Sequence, residues 1–218
     1  MGWQRFAVYW LPDGRLGNIG SEWLGWNART GRYHRDALPD TQPPRPYGFH
    51  ATIKPPFRLA PGASEGALRV AFRGLAEGLD AVDLGPLSLH RLGGFLALTP
   101  EFQPRTLAAR TVEALDGFRA APTGAELARR RAAGLTPVQD ALLRRWGYPY
   151  VMDEFRLHLT LTGRNPSDLT ETMARRRFDP LLGDPVTLAR LSLVGEDALG
   201  RFHLIEDAAL HDTAAVTA

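Results

Sequence analysis

The chain has 218 residues, 44% of them hydrophobic and 23% charged, with a net charge of +2. These values fit one large globular domain or two intimate lobes. So small a net charge excludes a non-specific nucleic-acid binder with a dense basic face, while leaving room for a local anion site. No cysteine is present, which excludes disulfides, a thiolate nucleophile and a Cys-based zinc site, and fits a reducing, cytoplasmic setting.

The run Phe6-Ala7-Val8-Tyr9-Trp10-Leu11, stopped by Pro12, is too short and too aromatic for a signal peptide and predicts a first strand. No stretch approaches the ~18 apolar residues needed to cross a membrane, so no membrane partner is expected. Gly14, Gly17 and Gly20 follow at a G-x-x-G-x-x-G spacing that is neither a dinucleotide fingerprint nor a P-loop. Residues 29–46 are polar and Pro-rich and read as a loop.

Phe49 to Leu59 alternates as a strand, and Ser64 to Leu79 carries Leu68, Ala71, Leu75 and Leu79 at helical spacing. Val82–Leu92 and Phe95–Leu98 then form a hairpin around Gly93-Gly94. Three helices follow, over Thr106–Phe118, over Thr123–Ala133, and from Thr136-Pro137 to Trp146, the last opened by an N-cap and a proline at the first helical position. Past Gly147-Tyr148-Pro149-Tyr150, a strand is predicted over Phe155–Thr162, a helix over Ser167–Leu182, and strands over Val186–Val194 and Arg201–Ile205. The tail after His211 has no pattern and reads as disordered.

Strand, helix and hairpin thus occur twice. His50 to Phe95 spans 45 residues and His158 to Phe202 spans 44, the near-constant register of a duplicated unit. The expected organisation is a single bilobal domain over 1–218, with lobes near 1–100 and 151–210 and a helical section 104–147 between them.

Three of the six histidines open a His-x-Thr triplet. With fifteen threonines in the chain, chance supplies fewer than one. The triplet at His211 has Asp212 in its middle and no strand around it, and reads as coincidence. The other two share a context, Phe49-His50-Ala51-Thr52-Ile53 and Leu157-His158-Leu159-Thr160-Leu161. On a strand, residues two apart share a face, so Phe49, Ala51 and Ile53 point to a core while His50 and Thr52 stand together on the other surface. His158 and Thr160 do the same. A lone strand histidine is usually structural, but two matched pairs in matched units point to chemistry.

In-line cleavage of a phosphodiester needs a base on the attacking oxygen and an acid on the leaving oxygen. Imidazole suits both tasks near neutrality, its ordinary pKa being ~6.5. Each Thr hydroxyl can donate to a non-bridging oxygen as charge builds. Two His/Thr pairs therefore supply acid, base and charge stabilisation without metal or cofactor, and no H-E-x-x-H, H-x-E-x-H or G-x-S-x-G pattern offers another chemistry.

The paired motifs resemble the two-histidine (2H) phosphoesterase superfamily. The longer strings, from Tyr47 to Phe57, from Trp146 to Val151, from Asp153 to Gly163 and over Glu126-Leu127-Ala128-Arg129-Arg130-Arg131, are similar to an uncharacterised branch associated with bacterial phosphonate-utilisation (carbon–phosphorus lyase) genes. The resemblance implies a bilobal, pseudo-twofold α+β fold, with two antiparallel sheets around a central cleft and flanking helices. It also implies a metal-independent phosphodiesterase with His50, Thr52, His158 and Thr160 as catalytic residues, acting on a small cyclic phosphodiester such as a ribose cyclic phosphate.

Parity adds Lys54 and Arg156 to the cleft as phosphate contacts; a solvated strand-end charge is the alternative reading of each. Tyr47, Tyr148 and Tyr150 either line the cleft as substrate contacts or cap a core edge. Arg129–Arg131 form a solvated helix face or a lid over an anionic substrate. The sequence leaves open which histidine is the base. It also leaves two rival functions, a 2H enzyme acting on RNA ends or 2′,5′-linked oligonucleotides, and a non-catalytic sensor of a phosphorylated metabolite.

Overall fold

The computed structural model describes residues 2–35 and 37–212. The first element is β1 (Phe6–Trp10), followed by α1 (Gly14–Leu24), the short strands β2 (Trp26–Asn27) and β3 (Arg32–Tyr33), and β4 (Ala51–Phe57). Next come α2 (Glu65–Glu77), the hairpin β5 (Val82–Leu92) and β6 (Phe95–Pro100), and the helices α3 (Arg105–Ala114), α4 (Gly124–Arg131) and α5 (Pro137–Trp146). The chain closes with β7 (Leu159–Thr160), α6 (Asp168–Phe178), β8 (Pro185–Leu188), β9 (Arg190–Glu196) and β10 (Phe202–Ala209). The residues after Asp212, where a patternless tail is expected, lie outside the described residues.

Local chemistry accounts for the helix starts. Ser64, Thr123, Thr136 and Ser167 each accept a backbone N–H of the first turn, and Glu126 and Gln139 close capping boxes. Helix α1 is absent from the sequence reading, and the three spaced glycines explain it. A Cβ at Gly20 would lie 2.1 Å from the Phe49 ring, and one at Gly17 would lie 1.9 Å from the Pro12 carbonyl oxygen. The glycine face thus lets α1 close onto the side chain that precedes His50.

Eight strands form a mixed-length antiparallel sheet in the order β10-β9-β1-β4-β7-β6-β5-β8. Its two halves, β10-β9-β1-β4 and β7-β6-β5-β8, meet where Ala51 pairs with Leu159, so the two expected antiparallel sheets are joined edge to edge. The repeated units interleave across this seam. The hairpin of the first unit, β5–β6, pairs with β7 of the second, while β9–β10 reaches β4 through β1. Each half-sheet therefore draws strands from both the 1–100 and the 151–210 segments.

The main core fills one face of the sheet, with Phe49, Ala51 and Ile53 from β4 and its approach, and Phe155, Leu157, Leu159 and Leu161 around β7. A second cluster covers part of the opposite face, where Trp26 and Ala28 pack on Ala7, Tyr9, Val194 and Phe202, with Tyr47 at its edge. Trp26 Nε1 donates to the Phe202 carbonyl at 2.9 Å, pinning Trp26 there.

Two strand expectations change. The run 155–162 shrinks to Leu159–Thr160 because the side-chain amide of Gln103 takes over the ladder at Leu157, accepting its N–H at 2.6 Å. The run 186–194 divides into β8 and β9, which lie in opposite half-sheets. Among the described residues no helix is long and apolar enough to cross a membrane.

Candidate active site

The seam between the half-sheets assembles the two motifs. Ala51 and Leu159 are direct antiparallel partners and both are buried on the core face. One step outward along that register, His50 stands opposite Thr160, and Thr52 opposite His158. The four side chains occupy one patch of the other face, with directly opposed Cβ atoms roughly 4.5–5.5 Å apart and the two histidines on a diagonal of roughly 7–8 Å. The charge of His158 acts on His50 across that diagonal.

Each imidazole is tied down in the same way. His50 Nδ1 lies 2.9 Å from the Gly48 carbonyl, and His158 Nδ1 lies 2.8 Å from the Arg156 carbonyl. A carbonyl oxygen only accepts, so both Nδ1 atoms carry the proton and donate it. Both Nε2 atoms are thereby left for proton transfer. At His50 the Nε2 lone pair meets the Thr52 hydroxyl at 3.2 Å, which donates to it.

The anchor at Gly48 needs a backbone that only glycine adopts readily, with φ +72° and ψ 178°. A Cβ there would also lie 2.9 Å from Ala28 Cβ. Gly48 is thus a functional position that parity along the strand does not reveal.

Surroundings set the two histidines apart. Tyr9, the partner of Thr52 in the β1–β4 ladder, lies against the His50 ring with centroids 4.0 Å apart, and Tyr47 stacks on the same ring at 5.9 Å. This aromatic cage leaves His50 half-buried, and the partial loss of water pushes its pKa down from 6.5 to about 4; the bond to Gly48 opposes the shift and the His158 charge adds to it. Among the described residues His158 has one aromatic neighbour, Phe95, at 5.7 Å, and it precedes a strand of only two residues.

The remaining expected contacts are distributed unevenly. Tyr47 stacks on both His50 and Phe202. Tyr148 acts electrostatically on Tyr9 and lies beneath the Arg130 guanidinium, 4.5 Å from its ring centroid. Tyr150 is exposed and meets Tyr148 edge-on at 5.7 Å. Arg156 keeps the parity of His158 and is exposed, and no hydrogen bond or ion pair engages its side chain among the described residues.

Lys54 is a correction. Between Thr52 and Lys54 the β1–β4 register slips by one residue, from Tyr9↔Thr52 to Val8↔Lys54, and such a bulge breaks the alternation, so that the side chain after it changes face. Lys54 therefore enters the core, 1% exposed, where Nζ donates to the Val112 carbonyl at 3.0 Å and lies 3.8 Å from Asp116. Burial pulls its pKa down to about 8, with Asp116 working in the opposite sense.

The three arginines of α4 also separate. Arg131 pairs with Asp140 at 2.6 Å, Arg129 is exposed, and only Arg130 turns toward the tyrosines. Glu126 holds Arg58 through two oxygens, at 2.5 and 2.9 Å. His211 is joined to Leu79 and Ala81 by backbone hydrogen bonds, and Thr213 of its triplet lies outside the described residues. Among the described residues, no three His, Asp or Glu side chains gather as metal ligands.

Residues 52–203 match the model of a family described as a protein of unknown function, DUF1045. The chain belongs to this family. Two curated relatives are each named ribose 1,5-bisphosphate phosphokinase PhnN. The protein from Janthinobacterium sp. (strain Marseille) is 39% identical over 173 residues, covering 72% of this chain and 38% of that protein. The protein from Laribacter hongkongensis (strain HLHK9) is 38% identical over 199 residues, covering 84% of this chain and 46% of that protein. The chain thus spans less than half the length of these two relatives. Among solved structures, E. coli LigT complexed with 3′-AMP aligns at 17% identity and a TM-score of 0.46, over 97% of this chain and 100% of that one. A structure described as a phosphoesterase aligns at 16% identity and a TM-score of 0.41, over 96% and 99%.

Proposed function

We propose that this family member is a metal-independent 2H phosphodiesterase that hydrolyses a small cyclic phosphodiester. The observation that carries the reading is the seam, where two His-x-Thr pairs share one face with both Nε2 atoms free of backbone bonds. A phosphoryl group placed over the patch would meet an imidazole on either side and a hydroxyl from each threonine.

In this reading His50 is the base. Desolvation keeps it neutral across the physiological range, so its Nε2 takes a proton from the attacking water. His158 gives a proton from Nε2 to the leaving alkoxide. One P–O bond forms, one breaks, and the cyclic diester becomes a phosphomonoester with a free hydroxyl. With substrate bound, Thr52 turns its hydroxyl from His50 Nε2 to a non-bridging oxygen, which frees that nitrogen for the water, and Thr160 donates to another such oxygen.

A ribose cyclic phosphate is the favoured substrate. Support comes from the printed name of the two relatives, which concerns a kinase acting on ribose 1,5-bisphosphate. Opening a 1,2-cyclic phosphate of ribose 5-phosphate at the bond to O2 would deliver that compound.

The deciding experiment is a panel of ribosyl cyclic phosphates, nucleoside 2′,3′-cyclic phosphates and 2′,5′-oligonucleotides assayed in EDTA, with the products read by phosphorus NMR. Turnover of the ribosyl compound to the 1-phosphate is the expected outcome. Preference for the oligonucleotides would move the assignment to RNA ends, and binding without turnover would make the protein a sensor. Activity abolished by EDTA and restored by a divalent ion would end the metal-independent reading.

A further inference from the structure

The hydroxyl of Tyr9 is one of three buried side-chain polar atoms without a hydrogen-bond partner among the described residues. The other two are less telling. Arg29 already holds Asp207 and the Leu11 carbonyl through its remaining nitrogens, and His34 is only partly buried. Tyr9 is 0% exposed and lies in a strand whose other members, Phe6, Ala7, Val8 and Trp10, are apolar and buried.

A phenylalanine would pack the same volume against His50 and Phe202, whereas an unmet hydroxyl in such a place is destabilising. A buried polar atom retained at this cost beside a candidate catalytic group calls for a partner that arrives later. The neighbourhood names the chemistry of that partner. Tyr47, Arg5, Glu196 and Tyr148 all act electrostatically on the phenol. The Arg5 guanidinium grips Glu196 and lies 5.7 Å from the centroid of Phe202, the ring that Tyr9 and Tyr47 both contact. Burial pushes the Tyr9 titration well above its ordinary range, so the group stays a neutral O–H donor. Tyr47 stacks on the same His50 ring and on Phe202, and it lies outside the strand ladder.

We propose that Tyr9 is a substrate-binding residue whose hydroxyl donates a hydrogen bond to an anionic phosphoryl oxygen of the ligand held at His50 and Thr52. The inference rests on the phosphoesterase reading and deepens it. Alongside two threonine hydroxyls it supplies a third neutral donor, which suits a phosphodiester or phosphomonoester anion and not a neutral sugar.

Tyr9→Phe keeps the ring, its contact with His50 and its burial while removing only the donor. Three measurements on the full chain decide the matter: kcat/KM on whichever cyclic phosphate the wild type opens, the calorimetric affinity for inorganic phosphate, and Tm. The expected result is a ~10–100-fold loss in kcat/KM and a comparable weakening of phosphate binding, the usual worth of a hydrogen bond to a charged group, with Tm unchanged or raised.

Kinetics and phosphate affinity within twofold of wild type would overturn the inference. So would a drop of several degrees in Tm with phosphate affinity intact, because the hydroxyl would then serve the fold through a buried water. A wild type that opens no cyclic phosphodiester defeats the phosphoesterase reading alone; the phosphate measurement still tests Tyr9, and absence of phosphate binding by the wild type would refute it. If Tyr9→Phe fails to fold, 3-fluorotyrosine at position 9 should tighten phosphate binding by strengthening the donor, and an unchanged affinity counts against the proposal.

Discussion

His50 and His158 open the same triplet, tie the same ring nitrogen to the carbonyl two residues back, and lie immediately before neighbouring strands. Their surroundings differ. His50 enters a seven-residue strand paired on both sides and is held in a cage of two tyrosines. His158 precedes a two-residue strand and has one aromatic neighbour among the described residues. A symmetric motif has been placed in an asymmetric environment, and the environment, not the motif, makes His50 the neutral base of the proposed reaction.

The comparison breaks first at the histidines themselves. His50→Ala and His158→Ala should each lower kcat by ~10²–10⁴-fold in the cyclic phosphate assay. The double variant should lose much less than the product of the two, because base and acid act as one unit. If either single variant kept wild-type turnover, the pair could not be a base and an acid.

Smaller losses are expected at the hydroxyls. Thr52→Ala and Thr160→Ala should each lower kcat by up to ~10²–10³-fold, the effect of deleting one donor to transition-state charge. Thr52 should be the more sensitive, since its hydroxyl also meets His50 Nε2. Equal losses would remove that distinction between the two motifs.

Gly48→Ala tests the cage through its backbone. The φ of +72° and the Ala28 contact should cost about 1–3 kcal/mol of stability, measurable as a lower urea midpoint. His50 should lose its Nδ1 anchor and kcat should fall about tenfold, whereas Arg156→Ala, which leaves the carbonyl anchoring His158 in place, should spare kcat. Wild-type kcat in Gly48→Ala would show that the anchor does not matter.

A pH dependence sharpens the contrast further. His50 titrates near 4 when folded and near 6.5 when unfolded. Between those values the unfolded chain holds more protons, so stability is full above about pH 6.5 and falls as pH drops toward 4. His50→Gln removes this contribution and should flatten that part of a plot of Tm against pH. Parallel curves for wild type and variant would mean that His50 is not desolvated. The acid limb of kcat/KM should also fall well below pH 6.5, because the base stays neutral there.

The smallest effect separates position from charge. Lys54→Met should leave kcat unchanged while lowering stability by about 1–3 kcal/mol, because it orphans the Val112 carbonyl. A large loss of turnover in that variant would return Lys54 to the site.

Much of this was legible along the chain. Apolar alternation around His50 and His158 places Phe49, Ala51, Leu157 and Leu159 in the core and both histidines on one opposite face, because side-chain direction on a strand is fixed by a period of two. Capping residues likewise marked the starts of α2, α4, α5 and α6. Parity failed at Lys54, since a bulge is a property of the pairing between two strands and leaves no mark in one of them. It missed α1, whose three glycines weaken the helical signal, two of them (Gly17 and Gly20) making sense only against Pro12 and Phe49.

What the sequence determined by itself was therefore the local material: a duplicated strand-helix-hairpin, two matched His-x-Thr pairs, and the face each presents. The tertiary structure alone decided that the repeated units exchange hairpins across the seam, that Gln103 cuts β7 short, and that Tyr9 lies against His50. Those outcomes depend on contacts between segments far apart in the chain, and water is excluded from one imidazole more than from the other only once those segments have packed.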